Sequence, residues 1–259
     1  MDLGLKARNA IICASSRGLG KACATALARE GCSVVVNGRN AEQVEATAAE
    51  IRAKTGASVT AMAADLTTEQ GRASLVATRP NADILVTNNG GPPPGRFEDW
   101  SHADWLAALE ANMLAPIFMI KALLPGMRSR RFGRIVNITS ARVKTPTEAS
   151  GLSTAARTGL TGLCKGLAIE VARDNVTINN LLPERILTDR QRYMAERMME
   201  EEGICSAEAF SRMAKSLPAR RLGTPEEFAD TCAFLCGTQA GFISGQNLSL
   251  DGASYRGLV

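Results

Sequence analysis

Six short runs of β-branched and aliphatic residues, each followed by a longer helix-forming segment, constrain this chain more than any other feature. Ala10–Ala14, Ser33–Asn37, Ser58–Ala63, Asp83–Thr87, Gly133–Thr139 and Val176–Leu181 are brief apolar stretches without polar alternation, the pattern of strands buried on both faces. Between them, Gly20–Glu30, Ala41–Lys54, Asp104–Leu124 and Ala155–Arg173 are rich in Ala, Glu, Lys and Leu. This alternation predicts an α/β fold of Rossmann type, a doubly wound parallel sheet with helices on both faces. Gly31 and Gly56 are placed to cap two helices, and Pro125 to end a third. With 259 residues, 45% of them hydrophobic, and no Gly/Ser/Pro-rich linker, residues 1–259 read as a single domain. The Met-rich, charged stretch Arg185–Leu217 is too long for a connector and reads as a helical substrate lid.

Several function classes are disfavoured. The longest apolar run, around Ala111–Ile120, is broken by Asn112 and Pro116 and falls short of the ~18–20 residues of a membrane span. No secretory leader is expected, because no basic flank leads into an apolar stretch at the N-terminus. The seven cysteines are odd in number, lie mostly in apolar segments and form no Cys-x-x-Cys, which points to reduced thiols, a cytoplasmic location and no metal site. The net charge of +4 is spread along the chain. Its densest cluster, Arg128, Arg130, Arg131 and Arg134, reads as a solvated turn rather than a nucleic-acid surface.

The stretch from Ile11 to Gly20 follows the first strand and opens the first helix. Its glycines let the backbone approach a pyrophosphate, and the helix N-terminus offers unpaired N–H groups and partial positive charge. The second strand ends Val36-Asn37-Gly38-Arg39, without the acid that an NAD site places against the ribose 2′-hydroxyl. Arg17 and Arg39 suit a 2′-phosphate instead, so NADP(H) is expected over NAD(H).

The chain resembles a short-chain dehydrogenase/reductase of the 3-oxoacyl-acyl-carrier-protein reductase-like type. The family's Thr-Gly-x-x-x-Gly-x-Gly corresponds to Cys13–Gly20, with Ala14 in place of the first glycine. Asp65-Leu66, Asn88-Asn89-Gly90-Gly91, Asn112, Ser140, Pro183–Thr188, Arg221–Glu227, Ser244-Gly245-Gln246 and Leu250-Asp251-Gly252 follow in family order. The resemblance implies a cofactor site of Ala14, Ser16, Arg17, Gly18, Leu19, Gly20, Asn37, Arg39, Asp65, Leu66, Asn89, Gly90, Gly91, Pro183, Ile186 and Thr188, with Arg157 at the ribose. It also implies catalytic positions Asn112, Ser140, Ser153 and Arg157, a small carbonyl or alcohol substrate, and a homotetramer.

Two of those catalytic positions depart from the family. Its Tyr-x-x-x-Lys, one helical turn apart on one face, appears here as Ser153-Thr154-Ala155-Ala156-Arg157. A phenol has a reference pKa near 10, whereas an aliphatic alcohol is a far weaker acid and Arg stays protonated. The chain's two tyrosines, Tyr193 and Tyr255, lie at other positions. Arg142 and Lys144, just beyond Ser140, could stabilise an oxyanion, clamp an acidic substrate or, for Lys144, donate a proton. His102, the single histidine, reads as a capping or packing residue beside Trp100 and Trp105. Met194, Met198, Met199 and Met213 suggest an adaptable apolar lid or surplus core. Glu184, where the family has Gly, has no explanation from sequence. Two functions remain open: an NADP(H)-dependent oxidoreductase with an atypical active site, or a catalytically impaired nucleotide-binding homologue acting as sensor or inactive partner.

Overall fold

In the computed structural model, residues 1–258 are described. One seven-stranded parallel sheet has the order β3-β2-β1-β4-β5-β6-β7. Its strands are β1 (Asn9–Ile12), β2 (Ser33–Gly38), β3 (Val59–Ala63), β4 (Ile84–Thr87), β5 (Gly133–Ile138), β6 (Val176–Pro183) and β7 (Asn247–Leu250). The reversal of strand order falls between β1 and β4, where open α/β sheets form a crevice at their carboxyl ends. The seventh strand was not among the six apolar runs. Asn247 and Ser249 interrupt its apolar character, and its edge position leaves it half exposed.

Helices α1 (Gly18–Arg29), α2 (Ala41–Thr55) and α9 (Pro225–Cys236) share one cluster, in which Leu27, Ile51 and Phe228 meet Ile12, Val34 and Val36 of the sheet. Across the sheet, α3 (Glu69–Thr78), α5 (Ala115–Ser129) and α6 (Gly151–Val171) pack Leu75, Met119, Leu123 and Leu160 against Ile11, Val35 and Ile135. Gly56 caps α2 at φ +71°, and Gly31 takes φ +83° just beyond α1. Pro125 does not end its helix. It lies on the exposed face of α5, where water can satisfy the carbonyl its ring leaves unpaired, while buried Met127 holds the last turn to the sheet.

The segment expected as one helix from Asp104 is three pieces: α4 (His102–Leu109), a π-turn over Glu110–Leu114, and α5. Together they make a 28-residue helical stretch that is long and apolar enough to cross a membrane, contrary to the expectation from the interrupted apolar run. Here one side of it is packed against the sheet. Ser101 and Asp104 form the capping box that starts α4, so His102 is an exposed first-turn residue rather than the cap.

The arginine cluster is a solvated turn only in part, with Arg130 and Arg131 exposed there. Arg134 is buried in β5, bonded to the carbonyls of Gly133 and Asn175 and stacked on Phe132, while Arg128 bridges Glu170 and Asp174. Beyond β6, α7 (Asp189–Glu202) and α8 (Ser206–Lys215) form a helical pair with its own small core. Met194, Met198, Met199 and Met213 belong to that core.

Candidate active site

The register aligning Ile12 of β1 with Val36 of β2 puts the loops that follow these strands side by side at the carboxyl edge. Ala14, at the position of the missing glycine, takes φ +43°, and its N–H donates to Asn37 Oδ1 at 3.1 Å. Ser15 Oγ donates to the Ile12 carbonyl at 2.6 Å and accepts from Asn37 N–H at 2.9 Å. Asn37 is therefore a buried clamp: its amide also donates to the carbonyls of Met62 and Ala64, and its side chain is committed to holding the loop. Gly20 allows the close passage that follows, since a Cβ there would come within 2.5 Å of the Ala14 carbonyl. Gly18, at φ +57°, faces open space, as does Gly90. Arg17, at the N-cap of α1, and Arg39, after β2, are both exposed.

This cradle fits a phosphorylated dinucleotide. It has free backbone at a helix N-terminus, room above Gly18 and Gly90, two exposed guanidinium groups, and no acid at the end of β2. Asp65 lies farther along the edge. The N–H and hydroxyl of Thr67 bond its carboxylate and hold it below the usual range, helped by desolvation-opposing charge from Arg39. Leu66 beside it is buried.

The positions expected to be catalytic converge through Arg157. Its guanidinium is buried and donates from Nη1 to the carbonyls of Ile138 (2.8 Å) and Thr139 (3.0 Å), from Nε to Ser153 Oγ (3.2 Å) and from Nη2 to the Asn89 carbonyl (3.4 Å). Thr139 directly precedes Ser140, so one cation ties the end of β5 to α6 and to the Asn88–Gly91 loop. Among the described residues no carboxylate pairs with it. Burial, reinforced by the charge of Arg190, brings its pKa down to about 10 from the ordinary 12.5. Four donors are thus spent on the protein itself, which leaves little of the ribose contact expected of Arg157.

Asn89 continues the network, donating to the Ala111 carbonyl within the π-turn at 2.9 Å. The same turn carries Asn112, buried, with its Nδ2 3.4 Å from the Ala108 carbonyl and its Oδ1 without a partner among the described residues. A π-turn at this point aims one residue off the helical repeat, a common device at functional sites. Ser140 Oγ accepts from Arg142 N–H at 3.1 Å, so the hydroxyl begins the turn that carries Arg142 and Lys144.

Glu184 now has its explanation. Its carboxylate meets Arg142 Nη2 at 2.5 Å, so the residue in place of the family's Gly pairs with the arginine after Ser140. Pro183 ends β6, buried Ile186 bridges to Gly223, and Thr188 sits at the N-cap of α7. Arg190 of α7 donates to the Pro92 carbonyl at 3.3 Å, which joins the helical pair to the loop after Gly91.

Two contributors were missed. Trp100 packs so closely on Gly95 and Gly151 that a Cβ on Gly151 would lie 2.4 Å from its ring, wedging the start of α6 two residues before Ser153. The two glycines around a tryptophan were the available signal. The other, Arg185, half-buried beside Glu184, sat inside a motif read only for its cofactor positions.

A family model described as Enoyl-(Acyl carrier protein) reductase matches residues 13–253. The chain belongs to the short-chain dehydrogenase/reductase family. It is 32% identical to the NADPH-dependent reductase BacG of Bacillus subtilis (strain 168) over 97% of this chain and 99% of that protein. It is 34% identical to dehydrogenase/reductase SDR family member 4 of Oryctolagus cuniculus, over 95% of this chain and 92% of the relative. Among solved structures, L-sorbose reductase from Gluconobacter frateurii, complexed with NADPH and L-sorbose, superposes with a TM-score of 0.95 at 28% identity, each chain covered completely.

Proposed function

We propose that this chain is an NADP(H)-dependent oxidoreductase acting on a small carbonyl or alcohol substrate, with Ser153 and Arg157 in place of the family's Tyr and Lys. The observation that carries this reading is the carboxyl-edge cradle, open above Gly18 and Gly90 and flanked by Arg17 and Arg39 with no acid at the end of β2. NADPH is the cofactor named for BacG and present with the sorbose reductase, which supports the choice. When bound, the cofactor donates or accepts the hydride.

The chain's own groups do the rest. Arg17 and Arg39 hold the 2′-phosphate, and the N-terminus of α1 receives the pyrophosphate. Ser140 Oγ orients the substrate oxygen, and Asn112 anchors the π-turn behind it. Arg157 keeps a fixed positive charge 3.2 Å from Ser153 Oγ, which favours electron density building on that oxygen. Helices α7 and α8 act as the lid that keeps water out. Calorimetric titration tests the reading: NADPH binds tighter than NADH, and equal affinities refute the 2′-phosphate assignment.

One observation favours the second reading, a nucleotide-binding homologue with impaired catalysis. Arg157 spends its donors on Ile138, Thr139, Asn89 and Ser153, and no phenol stands on α6. Losing a positioned acid costs roughly 10²- to 10⁴-fold in rate. NADPH binding with no turnover across a broad carbonyl panel would establish it. We further propose a cytoplasmic homotetramer, supported by exposed Leu106, Phe118, Leu163 and Ile169 on α4–α6 and by Phe242 and Leu248 near β7. Light scattering that returns a 27.4 kDa particle would refute the assembly.

A further inference from the structure

A cavity of about 220 Å³ opens between the turn after Ser140, the end of β6 and the segment after β7. Three cations line it, Arg142, Lys144 and Arg185, and two carboxylates, Glu184 and Asp251. The carboxylates are already engaged. Glu184 pairs with Arg142, and Asp251 accepts the backbone N–H groups of Ala253 (3.0 Å) and Tyr255 (2.9 Å). Lys144 places its ammonium 4.9 Å from the centre of the Tyr255 ring and meets no carboxylate among the described residues. The Arg185 guanidinium has neither an acceptor nor an ion-pair partner among the described residues, although it is half-buried. Its nitrogens all reach solvent, so its five donors are open to an incoming acceptor.

We propose that this cavity receives the carboxylate of the substrate, held by Arg185 and Lys144, so that the chain acts on small carbonyl compounds that carry an acid group. The assignment rests on the oxidoreductase reading above. The net balance of the lining is one positive charge, which matches a monoanionic carboxylate better than a dianionic phosphate, and the planar fork of Arg185 suits two carboxylate oxygens. Arg142 begins the cavity wall, and its N–H is bonded to Ser140 Oγ, so an acid held here lies next to the residue that orients the carbonyl. Glu184, although paired with Arg142, also favours the charged form of Arg185, while the charge of Arg142 opposes it. Burial lowers the proton affinity of Arg185, a sign that its charge is only partly solvated.

The test uses one ketone in two charge states, benzoylformate and its methyl ester, titrated calorimetrically into the full chain with and without saturating NADPH. The proposal expects benzoylformate to bind at least tenfold tighter than the ester, and Arg185→Gln to bring the two together without changing the ester. Lys144→Gln, in an accessible turn, gives a smaller loss of the same kind and serves if Arg185→Gln does not fold. Equal binding of acid and ester by the parent chain overturns the proposal, as does a preference for the acid that survives both substitutions. Failure of NADPH to bind, measured in the same titrations, would instead sink the oxidoreductase reading, and the comparison without cofactor still decides the carboxylate site. Inorganic phosphate that competes with benzoylformate at equal concentration would overturn the choice of a monoanion.

Discussion

The cradle at the ends of β1 and β2 and the face of α6 lie on one edge of the sheet, yet they are built from different materials. The cradle is mostly main chain: Ala14 at positive φ, the close passage at Gly20, the open backbone at Gly18, and Asn37 and Ser15 bonding that backbone into place. The α6 face depends on side chains, and there, on the proposed reading, Ser153 and Arg157 stand in place of the family's Tyr and Lys. Main-chain sites tolerate many substitutions because the ligand meets groups that every residue carries. A proton donor allows no such freedom, because its pKa and reach belong to one side chain. On the proposed reading, cofactor binding and proton transfer part company within one fold.

The largest expected effect follows from the Arg157 cage. If that side chain is a structural tie, Arg157→Met leaves the Ile138 and Thr139 carbonyls short of donors and costs about 3 kcal/mol in urea denaturation, whereas Ser153→Ala costs well under 1 kcal/mol. A near-neutral Arg157→Met would show that the cage holds nothing, and the contrast between the two regions would weaken.

Gly20→Ala probes the opposite region. Its Cβ meets the Ala14 carbonyl at 2.5 Å and forces the loop to move, which should weaken NADPH binding by about 2 kcal/mol, roughly thirtyfold. Unchanged affinity would show that the cradle is not where the cofactor sits. Arg39→Ala should cost NADPH about 1.5 kcal/mol, near tenfold, and leave NADH unaffected. Equal losses for both cofactors would remove Arg39 from the 2′-phosphate.

A smaller effect lies in pH. Burial pushes the Cys13 and Cys32 thiols up to about 12 and Cys164 to about 11, from an ordinary 9.0. A raised thiol pKa means that the unfolded chain loses these protons first. Their contribution to stability is therefore complete below pH 9 and is lost as pH climbs toward 11 and 12. Arg157 acts in the opposite sense, but only above its folded value of about 10. Stability measured at pH 8.5 and 9.5 should fall by less in Cys13→Ala than in the parent, and an equal fall would remove the thiol from the account.

Much of this was legible in the sequence because it rests on periodicity and glycine. The six strands, all but the edge strand β3 buried, the helices between them and the cradle follow from apolar runs and from Gly18 and Gly20. What escaped depends on three-dimensional partners. The edge strand β7 carries polar residues that mask its pattern, and Pro125 is tolerated because it faces water. Glu184 makes sense only once Arg142, 42 residues away in sequence, is seen beside it. The commitment of Arg157 to carbonyls of β5 is likewise invisible to spacing, which showed a cation on the correct face but not what it donates to. Arg134 was misread for the same reason, since a basic turn and a buried arginine on Phe132 look alike in one dimension.

The central claim, an intact cofactor cradle beside a displaced acid, is tested most directly by restoring the missing pair. The double substitution Ser153→Tyr with Arg157→Lys, assayed by NADPH oxidation with a simple diketone at saturating cofactor, should raise turnover about 10²-fold or more over the parent with NADPH affinity little changed. A folded double variant that binds NADPH as the parent does and reduces the diketone no faster would contradict the claim that the α6 acid is what the chain lacks.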